Sequence, residues 1–276
     1  MSPARSIAFL SDYGLEDEFV GVCHAVMAQI SPESTIVDLS HLVPPQDVLA
    51  GALILSRAIR SLPPATVIVA VVDPGVGTVR RSIAVETRTD GRLLVGPDNG
   101  LLSIAWAEDE GITRAVEITA PNVLRQPVSA TFHGRDIFAP AAAHLAAGFA
   151  IEELGPSVDL DSLTVLSIPE PVVRDGRIDC QVLSSDRFGN IRLSARAADL
   201  ETAGVKAASS IEVGSKGDAV SARRVRTFGD VREGELALIV DSVGGLGLVV
   251  NKGSAAERLG LRRGDTVTLR GAEAVA

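Results

Sequence analysis

The stretch Val71–Ser82, VVDPGVGTVRRS, ends an apolar run on a carboxylate and places two arginines a short loop away. Three chemistries fit such a pattern: a glycine loop around a phosphate, a plain strand-to-turn junction, or an acid and a base facing one reacting group. The phosphate reading fits poorly, because a Walker loop ends in Gly-Lys-Ser/Thr and a dinucleotide fingerprint has three glycines that open a helix. Here SIAVET follows, which reads as a strand, so no helix N-terminus faces an anion. A solvated turn and a catalytic pair both remain open from the local residues. In the second case Asp73, at the strand end, and Arg80 turn back toward one pocket, where the guanidinium keeps the carboxylate ionised and fixes its geometry.

His133, one of four histidines, sits in TFHGRDIFAP, before a glycine at a turn ahead of a helix, where side chains project into clefts. His24 and His144 fall within helical segments and His41 opens a loop, so these three read as structural. Arg135 and Asp136 read as the helix start, with Asp136 complementing the dipole. No His-Glu-x-x-His or cysteine pair at ligand spacing occurs, so no metal is expected. The Gly-x-Ser-x-Gly elbow of serine hydrolases is also missing.

These residues need elements to hold them. Ser6–Leu10 reads as a buried strand ending in the polar turn SDYG. Asp17–Ile30 repeats apolar residues at helical spacing through Phe19, Val22, Cys23, Val26, Met27 and Ile30. TIVDLS is a strand, QDVLAGALILSRAIRSL a helix apolar nearly all round, and TVIVAVVD a strand covered on both faces. This alternation predicts βαβ units and a parallel sheet. SIAVET and LLVGPDNG follow as strands around a turn at Asp90-Gly91, and Asp136–Ala147 as a helix whose Pro140 signals a late start or a kink. SIPEPVVRDGR, from Ser167 to Arg177, reads as a linker. Beyond it, IDCQVLSSD, GNIRLS, ELALIVDS, LGLVVN and DTVTLRG give the short, turn-rich strands of a small barrel or sandwich. In NKGSAAERLGLRRGD, Ser254 suits an N-cap and Gly260 a helix end, while Val250, Asn251 and their neighbours could offer backbone groups to a base. The expected organisation is an α/β domain with a central, mostly parallel sheet at residues 1–168 and a smaller all-β, barrel-like domain at 169–276.

At 276 residues, 46% hydrophobic and 22% charged, the chain has the composition of a folded protein. Aromatics are only 3%, so its core must be aliphatic. The net charge of −9 disfavours a nucleic-acid partner. No apolar segment approaches the roughly 20 residues that span a bilayer, so no membrane partner is expected. Two separated thiols, Cys23 and Cys180, fit a cytoplasmic protein rather than a disulfide framework.

Taken in order, SDYG, VVDPGVG…RR, GPDNG, TFHGRDIFAPAAAHLA, DRFGN and NKGSAAERLGL resemble the S-adenosyl-L-methionine (SAM) hydroxide adenosyltransferases, from about Ile7 to about Val267. These SAM hydrolases are relatives of the fluorinating and chlorinating SAM enzymes. The resemblance implies an N-terminal α/β domain, a C-terminal β-barrel domain, and a homotrimer whose ligand lies between the N-terminal domain of one subunit and the C-terminal domain of its neighbour. It implies hydrolysis of SAM to adenosine and L-methionine with no cofactor. A SAM-dependent halogenase and a non-catalytic adenosine- or SAM-binding protein are the alternatives. The halogenating relatives carry tyrosine at the position of Asp73 and an inserted loop, whereas here the run from GPDNG to FHGRD is compact.

By the same resemblance the water-activating set falls on Asp73, Arg80 and His133. Asp73 and His133 would orient and deprotonate the water, and Arg80 would stabilise hydroxide character. Asp12 would take the ribose hydroxyls, with Asp17 nearby. Phe188 would stack on adenine, Asn190 would bond its edge, and Asp186 would meet the methionine ammonium. Ser242 matches a position at the methionine end. Gln46, where relatives often carry an aromatic, and the glycines Gly244, Gly245 and Gly247 depart from the pattern.

Overall fold

A computed structural model of the chain describes residues 5–205, 208–215 and 217–271. The chain divides into two compact units, Met1–Leu166 and Ser167–Ala276.

Apolar runs bounded by turn residues build the strands of the first unit: β1 (Ile7–Ser11), β2 (Ile36–Ser40), β3 (Val67–Val71), β4 (Ser82–Thr87), β5 (Leu93–Pro97) and β6 (Ile112–Glu117). They form one sheet in the order β2-β1-β3-β5-β4-β6. The expected parallel pairing holds for β2-β1, β1-β3 and β3-β5, but β4 runs antiparallel to both β5 and β6. The sheet is therefore mixed. Arg88–Arg92 joins β4 to β5 as a hairpin, and a connection that short cannot cross over to a parallel neighbour.

Period-two alternation divides the buried strand residues between two layers of helices. Ile7, Phe9, Val67, Val69 and Val71 join one core with Val20, Cys23 and Met27 of α1 (Phe19–Ile30) and the alanines of α4 (Ala139–Ala146). Ala8, Leu10, Ile68 and Ala70 are buried on the opposite face, where α2 (Val48–Ala58) packs against α3 (Ser103–Glu108). Asp47 caps α2 by accepting from Ala50 N–H at 3.0 Å. Phe19, expected on the buried stripe of α1, is 37% exposed instead. Pro140 causes no kink. The α-helix starts late, with Pro140 in its first turn, and one π turn at Gly134–Phe138 precedes it.

In the second unit, β8 (Arg177–Ser185), β9 (Ile191–Arg196), β10 (Ser210–Ser215), β11 (Asp218–Arg224), β12 (Leu236–Val240), β13 (Gly245–Val250) and β14 (Thr266–Gly271) close a seven-strand barrel through β14–β8 pairing. The linker reading of Ser167–Arg177 fails in its second half. Val172–Arg174 is strand β7, hairpinned onto β8. Two short helices, α5 (Ala197–Thr202) and α6 (Ala255–Leu259), sit between strands. Ser254 caps α6 by accepting from Glu257 N–H at 3.1 Å, and Gly260 ends it at φ 59°, as expected.

Candidate active site

Asp73 lies two residues past β3, and Arg80 two residues before β4. Because β5 is inserted between those strands, the connecting loop passes over the carboxyl end of the sheet, where open α/β sheets bind ligands. Gly77 lets the loop settle. It adopts φ 75°, and a Cβ there would run into the Ala130 carbonyl, so the loop rests against the segment that leads to His133. Asn99 fixes the other side by donating from Nδ2 to the Val72 carbonyl at 2.9 Å. The neighbouring arginines then part company. Arg81 donates from Nε to Asp98 at 2.9 Å, while Arg80 turns inward.

The Arg80 guanidinium organises the site. Its Nε donates to both Asp73 oxygens, at 2.9 and 3.1 Å, and its Nη2 also pairs with Asp73 Oδ2. The same Nη2 lies 2.7 Å from His133 Nδ1, and Nη1 donates to Ser82 Oγ at 2.8 Å. The guanidinium carbon stands 5.2 Å from the centroid of the Phe138 ring, a cation–π contact. An arginine only donates, so His133 Nδ1 is an acceptor and the neutral imidazole carries its proton on Nε2. Burial, then the Arg80 charge, hold the His133 imidazole below its ordinary value, against the opposing pull of Asp73.

A cavity of about 260 Å³ opens beside this set, lined in part by Asp12, Gln46, Asp73, Thr131 and His133. Asp12 follows β1. Burial raises its carboxyl above the usual carboxylate value, the Gln46 N–H opposes this, and the Asp73 charge adds to it. The Gln46 N–H donates to Asp12 Oδ2 at 2.8 Å from a residue held at φ 64°, a left-handed backbone away from glycine. Gly134 lacks a side chain for a local reason: a methyl there would fall on the Tyr13 hydroxyl. Asp136 does more than complement a dipole. Fully buried, it accepts from Ser129 N–H at 2.9 Å and from Arg135 Nε at 2.7 Å, tying down the loop that carries Thr131 and His133.

Asp12, Asp73, Arg80 and His133 therefore come together, whereas Asp17 is exposed and away from the cavity lining. In the second unit Asp186 folds its own turn. Its Oδ1 accepts from Phe188 N–H and Asn190 N–H, at 2.8 and 3.0 Å, and its Oδ2 from Asn190 Nδ2 at 2.8 Å. That leaves Phe188 67% exposed. Gly189 O accepts from Ala256 N–H at 3.0 Å, which docks this turn on the start of α6, close to Val250 and Asn251. Asn251 Nδ2 donates to the Val231 carbonyl at 2.8 Å. Ser242 lies at the opposite end of the β12–β13 hairpin, in a turn organised by Asp241, which accepts from Val243 and Gly245 N–H. The sequence reading missed Tyr13, Val76, Thr131 and Phe132 as lining residues; all sit within the quoted motifs or the glycine loop.

Fold and site together define a two-unit α/β and β-barrel protein that holds a carboxylate, a guanidinium and a neutral imidazole around one cavity. Residues 7–155 match the SAM hydroxide adenosyltransferase N-terminal domain and residues 180–268 its C-terminal domain, and the chain belongs to this family. It is 48% identical over 268 residues to an (R)-S-adenosyl-L-methionine hydrolase of Salinispora tropica, covering 96% of this chain and 97% of that one. It is 30% identical to a fluorinase of Actinoplanes over 288 positions, covering 95% and 96%. That alignment is longer than this chain, so the fluorinase carries extra residues relative to it. A crystal structure of an uncharacterized conserved protein from Thermotoga maritima superimposes with a TM-score of 0.91 at 36% identity, covering 96% of this chain and 99% of that one.

Proposed function

We propose that this protein hydrolyses SAM to adenosine and L-methionine by in-line attack of water on the ribose C5′. The observation that carries the reading is the Asp73–Arg80–His133 set at the carboxyl end of β3, facing a cavity that also presents Asp12. Sulfonium is a cationic leaving group, so sulfur needs no general acid. The site has to hold one water in line and take its proton. Orientation of that kind is worth up to about 7–11 kcal/mol in favourable systems. As the C–O bond forms, the attacking water becomes an oxonium and strongly acidic, so a carboxylate beside it is basic enough to accept its proton. Asp73 is the acceptor in this scheme. The geometry supports a different part for His133 than the sequence suggested. With Nδ1 engaged by Arg80, its Nε2–H donates, orienting the nucleophile rather than deprotonating it.

Asp12 takes the ribose diol. The Phe188–Asn190 turn and Asn251 receive adenine, and Ser242, at the far end of its hairpin, receives the methionine end. Because these groups belong to the second unit, we place the complete site between subunits of a homotrimer, where the C-terminal unit of one covers the N-terminal cavity of the next. Cys23 and Cys180 are buried free thiols pushed up to about 12 by burial, which suits a reducing cytosol. The carboxylate of Asp73 disfavours a halide as nucleophile. The hydrolase relatives' names specify the (R) sulfonium, and we take (R)-SAM as the substrate here.

Incubation with SAM in halide-free H₂¹⁸O tests the reading. We expect adenosine and methionine in equal amounts, with ¹⁸O in the adenosine 5′-hydroxyl. Adenosine at the spontaneous background, or adenosine without label, would overturn it. The pH profile gives a second check. Neutral His133 accepts from Arg80, and protonation removes that acceptor and sets two cations side by side. Since His133 is lowered from 6.5, kcat/KM should stay level at neutral pH and fall only below that value. In His133→Gln, which has no titrating imidazole, this fall should move. A native acid limb centred above 6.5, or one unmoved by the substitution, contradicts the assignment.

A further inference from the structure

The second cluster of chemically capable side chains lies near the edge of the first sheet. His24 extends from α1, Asp38 from β2 and His41 from the loop after β2. His24 Nε2 is 2.8 Å from Asp38 Oδ1, and His41 Nε2 is 3.0 Å from the same oxygen. All three donor atoms lie within 4.8 Å of one another. We propose that this set binds one divalent transition cation of the zinc type, with two imidazoles and one carboxylate as ligands and solvent completing the shell.

Two observations beyond proximity point to a ligand. The first is His41 Nε2 itself. Its side chain is 2% exposed, and the nitrogen sits 3.0 Å from Asp38 Oδ1 without a well-formed hydrogen bond. A buried polar atom without a hydrogen bond calls for an explanation, and here it is aimed at the other two donors. The second is the support behind it. His41 Nδ1 lies 2.7 Å from Ser11 Oγ, which already accepts from Tyr13 N–H at 3.3 Å. An Nδ1–H donated to that oxygen leaves the Nε2 lone pair free to ligate, as the outer partners of metal-bound histidines do. The Phe9 ring packs edge-on at 4.6 Å and fixes the imidazole plane. Asp38 is exposed and His24 half-buried, so an ion can enter from solvent. Modest side-chain rotation brings nitrogen and oxygen ligands to the roughly 2.0–2.2 Å that Zn²⁺ requires. The His41 carbonyl accepts from Gly14 N–H at 2.8 Å, so an ion held here would brace the turn that carries Asp12.

The proposal stands apart from the hydrolytic reading and is tested by binding. The full-length, tag-free protein is stripped with chelator, desalted and titrated with Zn²⁺ by calorimetry, and with Co²⁺ by visible absorption. We expect one saturable equivalent per chain and ligand-field bands from nitrogen and oxygen donors. His24→Gln and Asp38→Asn, at solvent-accessible positions that spare the core, should each weaken binding by about tenfold or more, and Ser11→Ala by about 10–100-fold. His144→Gln, outside the cluster, should leave it unchanged. Lack of a saturable equivalent in the native protein, undiminished binding in the His24→Gln/Asp38→Asn double variant, or equal loss in His144→Gln would overturn the proposal.

Discussion

Replacing Asp73 with asparagine is expected to lower kcat for SAM hydrolysis by about 10²–10⁴-fold, the usual worth of a positioned general base. The substitution keeps the shape and one carbonyl oxygen for Arg80 while removing the charge and the proton acceptor. In the proposed mechanism Asp73 acts on the water, and Asp12 with the second-unit residues acts on the substrate. KM should therefore change far less than kcat, the signature of an interaction made mainly in the transition state. The Arg80 fork retains Ser82 Oγ and His133 Nδ1 as partners, so the fold should survive, with a loss of about 1.5–3 kcal/mol from weakened charge-assisted bonds. Steady-state adenosine formation and a thermal melt separate the two effects. A kcat within threefold of the native value, in protein that melts normally, would remove Asp73 from the chemistry.

How far this arrangement could be read beforehand differs from element to element. Asp73 and Arg80 were readable because each flanks a strongly apolar strand, and strand ends are where α/β sheets place chemistry. Local residues left their pairing undecided against a plain turn; the motif order across the whole chain favoured it. The bifurcated contact of Arg80 Nη2 with both Asp73 and His133 could not be read, since it depends on a loop resting on Ala130 through Gly77. That contact changed the part assigned to His133.

Two of the strands that escaped notice share a cause. β10 and β11 run through SIEVGS and DAVSARR, and in β11 only Ala222 is buried, so apolar alternation is faint. Their pairing is supplied by barrel closure, a tertiary fact. The antiparallel run of β4 against β5 was within reach, because the five residues from Arg88 to Arg92, with Asp90-Gly91 among them, permit a hairpin and not a crossover. His24 and Asp38 stand on separate elements with no ligand spacing between them, so only the β1–β2 pairing with α1 packed beside it assembles that cluster.

Removing the arginine is expected to cost more than activity. The Asp73 side chain is 6% exposed and that of Arg80 10%, so Arg80→Ala strands a buried carboxylate, a change that typically costs about 3–5 kcal/mol. It also releases His133 Nδ1 and Ser82 Oγ at once. Arg80→Lys separates charge from geometry. A single ammonium cannot reach both Asp73 oxygens, His133 and Ser82 as the planar fork does, so the lysine variant should fold yet lose about 10²-fold or more in kcat. The double variant Asp73→Asn/Arg80→Ala gives the sharpest test. If the stranded charge is the main destabilising agent, neutralising it must restore stability, so the double variant should melt above Arg80→Ala alone. Its kcat should fall no further than that of the worse single variant, because groups that act as one unit are lost together. A double variant less stable than Arg80→Ala, with strictly additive losses in kcat, would mean that the two side chains work independently and that their contact is incidental to the chemistry.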